Sequence, residues 1–283
     1  MAAGPANNND KLFMINPWTF SNPMKMGAAF RPVWSMINIV TSSRANTAEV
    51  SSVLCESPLV TGLSFTGSTH VGKILYRQCA GTVKRLGLEL GGNAAFIVFE
   101  SADLDLAVAG CMASKFRNAG QTCVSTNRVL VQDSVAEEFT EKLRVAMEEQ
   151  LVLGDPTQPG VTVGPLINQS QHSKVCDMVS SSVQAGAGLV LGGGPASDVS
   201  PLHYQPTILT GVTEDMIVFQ EEIFNQVIIL ARFGTEDEAL NIANNSRTGL
   251  ASYLYSNNEA QCWRVGEETS DRFYWQLKSD TFA

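Results

Sequence analysis

The sequence is short of histidine, of basic charge and of long apolar runs. Only His70, His172 and His203 occur in 283 residues, none of them paired at metal-ligand spacing, which argues against a zinc centre. Lysine and arginine total 19 against 28 acidic residues, a net charge of −9. That balance suits neither a nucleic-acid groove nor an anionic membrane surface, so no partner of either kind is expected. The acids are scattered in small clusters, such as Glu221 and Glu222, and form no acidic tail. No stretch reaches the roughly 18 apolar residues of a membrane span. Six cysteines stand at positions 55, 79, 111, 123, 176 and 262, with no CxxC pair. They read as reduced thiols in a reducing compartment. The start, MAAGPANNNDKLF, is neither a signal peptide nor an arginine-rich transit sequence, so no targeting segment is expected here. Internal repeats and low-complexity linkers are also absent.

Apolar residues make up 44% of the chain, enough for two modest domains or one large one. Strand-like and helix-like segments alternate. Strands are expected at 33–40, 60–66, 83–90, 94–100, 129–132, 189–191, 227–232 and 250–255. Helices are expected at 45–54, 68–79, 103–116, 135–150, 171–185, 236–244 and 259–267, with Ser101 as the N-cap of the third. This alternation predicts an α/β fold with a mainly parallel sheet. A softer join lies at 91–93. The first thirty-odd residues and the tail TSDRFYWQLKSDTFA read as irregular.

Three motifs could carry chemistry. In FTGSTHVGK (65–73) a strand gives way to a helix, and Gly67 and Gly72 let backbone approach a ligand at the helix N-terminus. A P-loop fits Gly67, Gly72 and Lys73, but Ile74 stands where a Ser or Thr must hold magnesium. A dinucleotide pyrophosphate site and a plain strand–turn–helix corner remain. In LELGGN (88–93), Glu89 closes an apolar strand before two glycines, as a solvated strand end or as a general base. In NAGQTCVSTN (118–127), Cys123 sits in a polar, small-residue run, although cysteine usually behaves as a buried hydrophobe. Such a setting leaves a thiolate reachable and offers N–H donors. A Cys–His hydrolase is the rival enzyme class, and no histidine stands in an obvious catalytic setting for it.

FTGST, ELGG and GQTC, in this order and separation, resemble the NAD(P)-dependent aldehyde dehydrogenase superfamily. KFRNAGQTCVSTNRVLVQ and NPWTF followed by GAA look most like its succinate-semialdehyde dehydrogenases, and EEIF and GLASYLYS fit the same family. The resemblance implies an incomplete Rossmann-like cofactor domain at 1–90, a second α/β catalytic domain with a mainly parallel sheet at 91–267, and a divergent tail at 268–283. It implies oxidation of an aldehyde with NAD or NADP, succinate semialdehyde going to succinate. Cys123 would be the nucleophile and Glu89 the base that activates water. Gly67, Ser68 and Gly72 would flank the cofactor pyrophosphate, Glu222 would hold the nicotinamide ribose, Phe224 would pack beside the ring and Trp18 would line the cleft. Arg117 would pair with a substrate carboxylate, against a plain reading as a helix-end arginine.

The sequence departs from the family's pattern in several places. Thr19 stands where an oxyanion-binding asparagine is usual. A strand–helix crossover with a cofactor-binding lysine is missing after Phe30, and no arginine stands beside Lys25. Asn225 and Gln226 replace the Gly-Pro expected after EEIF, which bears on the turn that orients Glu222. Ser125 stands where some relatives carry a second cysteine. The resemblance fades after about Glu268, where a strand used for homo-oligomer assembly would follow. A truncated chain of low activity is therefore expected, its compartment mitochondrial matrix or cytoplasm by resemblance. The alternatives are an inactive partner of intact subunits and a cysteine-dependent esterase.

Overall fold

The computed structural model describes residues 12–15, 40–43 and 45–269. The expectations on Trp18, Thr19, Lys25, most of 33–40 and the tail beyond Thr269 lie outside these residues. The chain divides into two compact units between Gly91 and Gly92.

In the first unit, β1 (Leu12–Ile15), β2 (Gly62–Thr66) and β3 (Arg85–Glu89) form a parallel sheet in the order β1-β2-β3. Position 12–15 is thus a strand within a region read as irregular from sequence. Four residues are too few to show a period. Helices α1 (Thr47–Glu56) and α2 (Thr69–Cys79) pack on the sheet. Their buried Cys55, Leu75 and Cys79 meet Leu63 and Phe65 of β2 in one small apolar cluster. Helix α2 starts where expected because Ser68 caps it, its Oγ accepting the Val71 N–H at 3.3 Å.

The second unit holds a six-stranded sheet. Its strands are β4 (Ala95–Val98), β5 (Arg128–Gln132), β6 (Gly188–Leu191), β7 (Thr207–Thr210), β8 (Val227–Phe233) and β9 (Ser252–Tyr255), in the order β6-β7-β8-β5-β4-β9. All pairings are parallel except β6 with β7. Alternate strand residues feed two cores, as in a sheet covered on both faces. Phe96, Val98, Val129, Val131, Ile228 and Leu230 meet α3 (Leu104–Phe116) and α4 (Ala136–Gln150). Ala95, Ile97, Leu130 and Ile229 meet α5 (Gln169–Gln184), the single turn α6 (Ile217–Gln220), α7 (Glu236–Asn244) and α8 (Glu259–Glu268).

Two local expectations are corrected. Ser101 does not cap α3. Asp103 does, its Oδ1 accepting from the N–H groups of Asp105 (3.0 Å) and Leu106 (3.1 Å), while Ser101 Oγ shares a hydrogen bond with Ser256 Oγ. Strand β7 and helix α6 add elements that the sequence pattern did not mark. TILT is buried along nearly its whole length and IVFQ is a single turn with only Val218 and Phe219 buried, and four residues are too few for either period to show.

Candidate active site

Cys123 owes its place to the way α3 ends. Arg117 leaves helical geometry with ψ 128°, and Asn118, Ala119 and Gly120 then take φ of +51°, +55° and +73°. Left-handed backbone is easy for glycine, tolerable for asparagine and costly for alanine. The chain is held there by its neighbours. Ile167 N–H donates to Gln121 Oε1 at 3.0 Å, Tyr253 Oη donates to the Val124 carbonyl at 2.7 Å, and Ser125 Oγ donates to the Lys115 carbonyl at 3.1 Å. Anchors on both sides leave Cys123 half-buried in a short turn. Gly92 makes this turn possible from below. A Cβ on Gly92 would lie 2.6 Å from the Cys123 carbonyl oxygen, so only glycine fits.

Glu222 joins Cys123 around that glycine. The Gly92 N–H donates to Glu222 Oε1 at 3.3 Å. Burial raises the Glu222 pKa, against the lowering pull of that N–H and of the Lys174 and Lys115 charges. Lys174 Nζ donates to the Glu222 carbonyl at 2.7 Å, and Gln171 Nε2 donates to the carbonyls of Ile223 (2.9 Å) and Phe224 (3.1 Å). Helix α5 thus grips the EEIF turn, and Phe224 bends it with φ +57°. Asn225 and Gln226 do not loosen this turn. Both are fully buried, and the Asn225 carbonyl lies so close to Gly120 that a Cβ there would come within 2.2 Å. Arg117 is exposed, six residues before Cys123 on the same connection.

Lys115 was not expected from the sequence. It is 1% exposed, and burial pushes its pKa down to about 7 despite the raising influence of Cys111 and Glu222. In LDLAVAGCMASKF it reads as the solvated last turn of a helix, and only the packing buries it.

The other candidates lie in the first unit. Glu89 ends β3 and is exposed, and its carbonyl accepts the Gly67 N–H at 3.0 Å. Glu89, Gly67 and the cap Ser68 therefore share the carboxyl ends of β2 and β3, where open α/β sheets take ligands. Gly72 is buried, and a Cβ there would meet Leu90 Cδ2 at 2.5 Å, so its bare backbone serves helix–strand packing. Of the histidines in the second unit, His172 lies 3.3 Å from the His203 carbonyl and 3.7 Å from Cys176 Sγ, and His203 bonds Ser200 and Gly154. Among the described residues no group of His, Cys, Asp or Glu could hold a metal, and no helix is long and apolar enough to cross a membrane.

A parallel three-stranded unit with a glycine-bearing strand–helix turn and a second α/β unit whose sheet is covered on both faces define a two-unit α/β protein, with Cys123 half-buried and the half-buried Glu222 carboxylate held on the Gly92 N–H. The aldehyde dehydrogenase family matches residues 34–271, and the chain belongs to that family. It is 48% identical over 231 residues to the mitochondrial succinate-semialdehyde dehydrogenase of Rattus norvegicus, covering 82% of this chain and 44% of that protein. It is also 48% identical over 233 residues to the 3-sulfolactaldehyde dehydrogenase of Pseudomonas putida, covering 82% and 47%. Among solved structures, an NADP-dependent enzyme of E. coli superposes with a TM-score of 0.81 at 44% identity, covering 84% of this chain and 48% of that one. The chain thus spans less than half the length of these relatives.

Proposed function

We propose that this chain carries the catalytic half of an NAD(P)-dependent dehydrogenase for small aldehydes that bear an anionic group, succinate semialdehyde first among them. The observation that carries this reading is Cys123 on its left-handed turn, half-buried and one glycine away from the Glu222 carboxylate. A thiol in a cramped polar turn is poorly placed as core filler and well placed as a nucleophile. Two named relatives act on aldehydes that carry a carboxylate or a sulfonate, which supports an anion as the shared substrate feature. Arg117 is the candidate partner for that anion, since a guanidinium fork matches it bidentately.

The residues suit a dinucleotide. Ser68 opens α2 with its first-turn N–H groups at the end of the parallel strands, a fit for pyrophosphate. Glu222, a carboxylate with one oxygen already fixed by an N–H, suits ribose hydroxyls, with Phe224 two residues on. When bound, NAD or NADP supplies the hydride acceptor. The Cys123 thiolate adds to the aldehyde carbon, and N–H groups of its turn stabilise the resulting oxyanion. Loss of hydride from that carbon leaves a thioester on Cys123. Water then gives up a proton to a carboxylate base, the role that the sequence resemblance assigns to Glu89, its oxygen attacks the thioester carbonyl, and the thiolate leaves as the acid forms. The mitochondrial compartment of those relatives is the one to test first for this chain.

The test is an initial rate of NADH or NADPH formation with succinate semialdehyde, 3-sulfolactaldehyde and a neutral aldehyde of the same length. Activity is expected with the two anions and is lost in Cys123→Ala. Arg117→Ala is expected to raise KM for the anions at least tenfold and to leave the neutral aldehyde unchanged. A Cys123→Ala rate equal to that of the unaltered chain contradicts the reading. Ester turnover without cofactor, lost in the same variant, points to the esterase alternative.

A further inference from the structure

The turn that carries Glu222 lies between α6 and β8 and has no ladder of its own, yet its peptide groups are held. One side chain holds the two peptides that flank Glu222. Asn127 Nδ2 donates to the Glu221 carbonyl at 3.2 Å, and Asn127 Oδ1 accepts the Ile223 N–H at 3.1 Å. The same Nδ2 donates to Asn93 Oδ1 at 2.6 Å, and Asn93 Nδ2 donates to the Phe219 carbonyl at 3.0 Å. Both asparagines are buried, at 2% and 7% exposure. Asn127 stands four residues after Cys123, and Asn93 directly follows Gly92, whose N–H reaches the Glu222 carboxylate. The pair of amides therefore joins three segments: the nucleophile turn, the glycine join and the acidic turn.

We propose that Asn127 is a positioning residue that fixes the Glu222 carboxylate relative to the Cys123 segment, with Asn93 as its second half. The proposal deepens, and rests on, the assignment of Glu222 to the cofactor ribose. The chemistry selects asparagine. The position needs one acceptor for the Ile223 N–H and donors for two carbonyl-type oxygens, on a stem of one methylene. Aspartate keeps the shape and the acceptor, removes the donations and sets a carboxylate against the Glu221 and Asn93 oxygens. A group this deeply buried that loses its partners cannot turn to water instead.

The experiment uses the full chain and its variants Asn127→Asp, Asn127→Ser, Glu222→Gln and the double Asn127→Asp/Glu222→Gln. Amide hydrogen exchange comes first because it needs no cofactor and no turnover. In Asn127→Asp the Ile223 and Gly92 amides are expected to exchange at least tenfold faster, while β5 and β8 keep their protection. Asn127→Ser gives the same reading if the aspartate variant does not fold. Unchanged protection at Ile223 overturns the proposal, and loss spread evenly over β5 and β8 overturns it in favour of a merely structural role. Calorimetric titration with NAD and with NADP comes second. Asn127→Asp is expected to weaken cofactor binding about tenfold in the unaltered background and to have no further effect beside Glu222→Gln. Equal weakening in both backgrounds overturns action through Glu222. Should the unaltered chain bind neither NAD nor NADP, the ribose assignment fails, and the exchange result alone decides the positioning role.

Discussion

The ammonium of Lys115 is buried 1% exposed in the last turn of α3, with a pKa lowered to about 7 by burial. Between about pH 7 and its ordinary 10.5 the unfolded chain holds this proton and the folded chain does not. The folded state thus gains stability as pH rises through that window, and below it the cost of burying the cation is carried in full. Lys115→Met is expected to raise stability at pH 6 by on the order of 3 kcal/mol and to gain little above pH 10, measured by chemical denaturation at each pH. A benefit independent of pH would contradict a buried cation. Gly120 gives a second residue-scale prediction. Gly120→Ala would bring a Cβ within 2.2 Å of the Asn225 carbonyl at a φ of +73°, and is expected to cost more than about 3 kcal/mol in the same measurement. At this scale the sequence was legible where chemistry shows in residue type. Cys123 among small polar residues reads as a reachable thiol. Lys115 and Asn127 were not legible, because an exposed and a buried helix-end lysine, or a loop and a clamp asparagine, are the same letters until tertiary packing distinguishes them.

Among elements, caps and turns decide more than propensity. Asp103 and Ser101 are both good capping types two residues apart, so the sequence alone could not separate them. The two hydrogen bonds of Asp103 do. Asp103→Ala is expected to cost about 1 kcal/mol and Ser101→Ala a few tenths, read from thermal midpoints. The EEIF turn shows the reverse case. The departure to Asn225 and Gln226 is plain in the sequence, and the consequence is not. Gln226 Nε2 donates to the Tyr204 carbonyl and Gln226 N–H to Asn225 Oδ1, which keeps the turn closed. The remaining Asn225 Nδ2 and Gln226 Oε1 are buried without a hydrogen-bond partner. Strong periods and long runs made the other helices readable, α7 to the residue. Four-residue β1 and β7 offered no period at all.

On the scale of the whole molecule, a chain whose match spans less than half the length of its relatives folds into two units that part between Gly91 and Gly92. Glu89 belongs to the first and Cys123 to the second. The α/β class and the parallel sheets followed from the alternation of elements, whereas the antiparallel β6–β7 edge followed from nothing in the pattern. The account rests on one bond, the thioester between Cys123 and the oxidised aldehyde. Rapid mixing of the chain with NAD or NADP and succinate semialdehyde, with acid quench and mass mapping of the peptide that contains Cys123, tests it most directly. The account predicts a burst of reduced cofactor of about one per chain, with succinyl mass on Cys123 and neither in Cys123→Ala. Reduced cofactor formed equally by Cys123→Ala, or a burst with Cys123 unmodified, would contradict it.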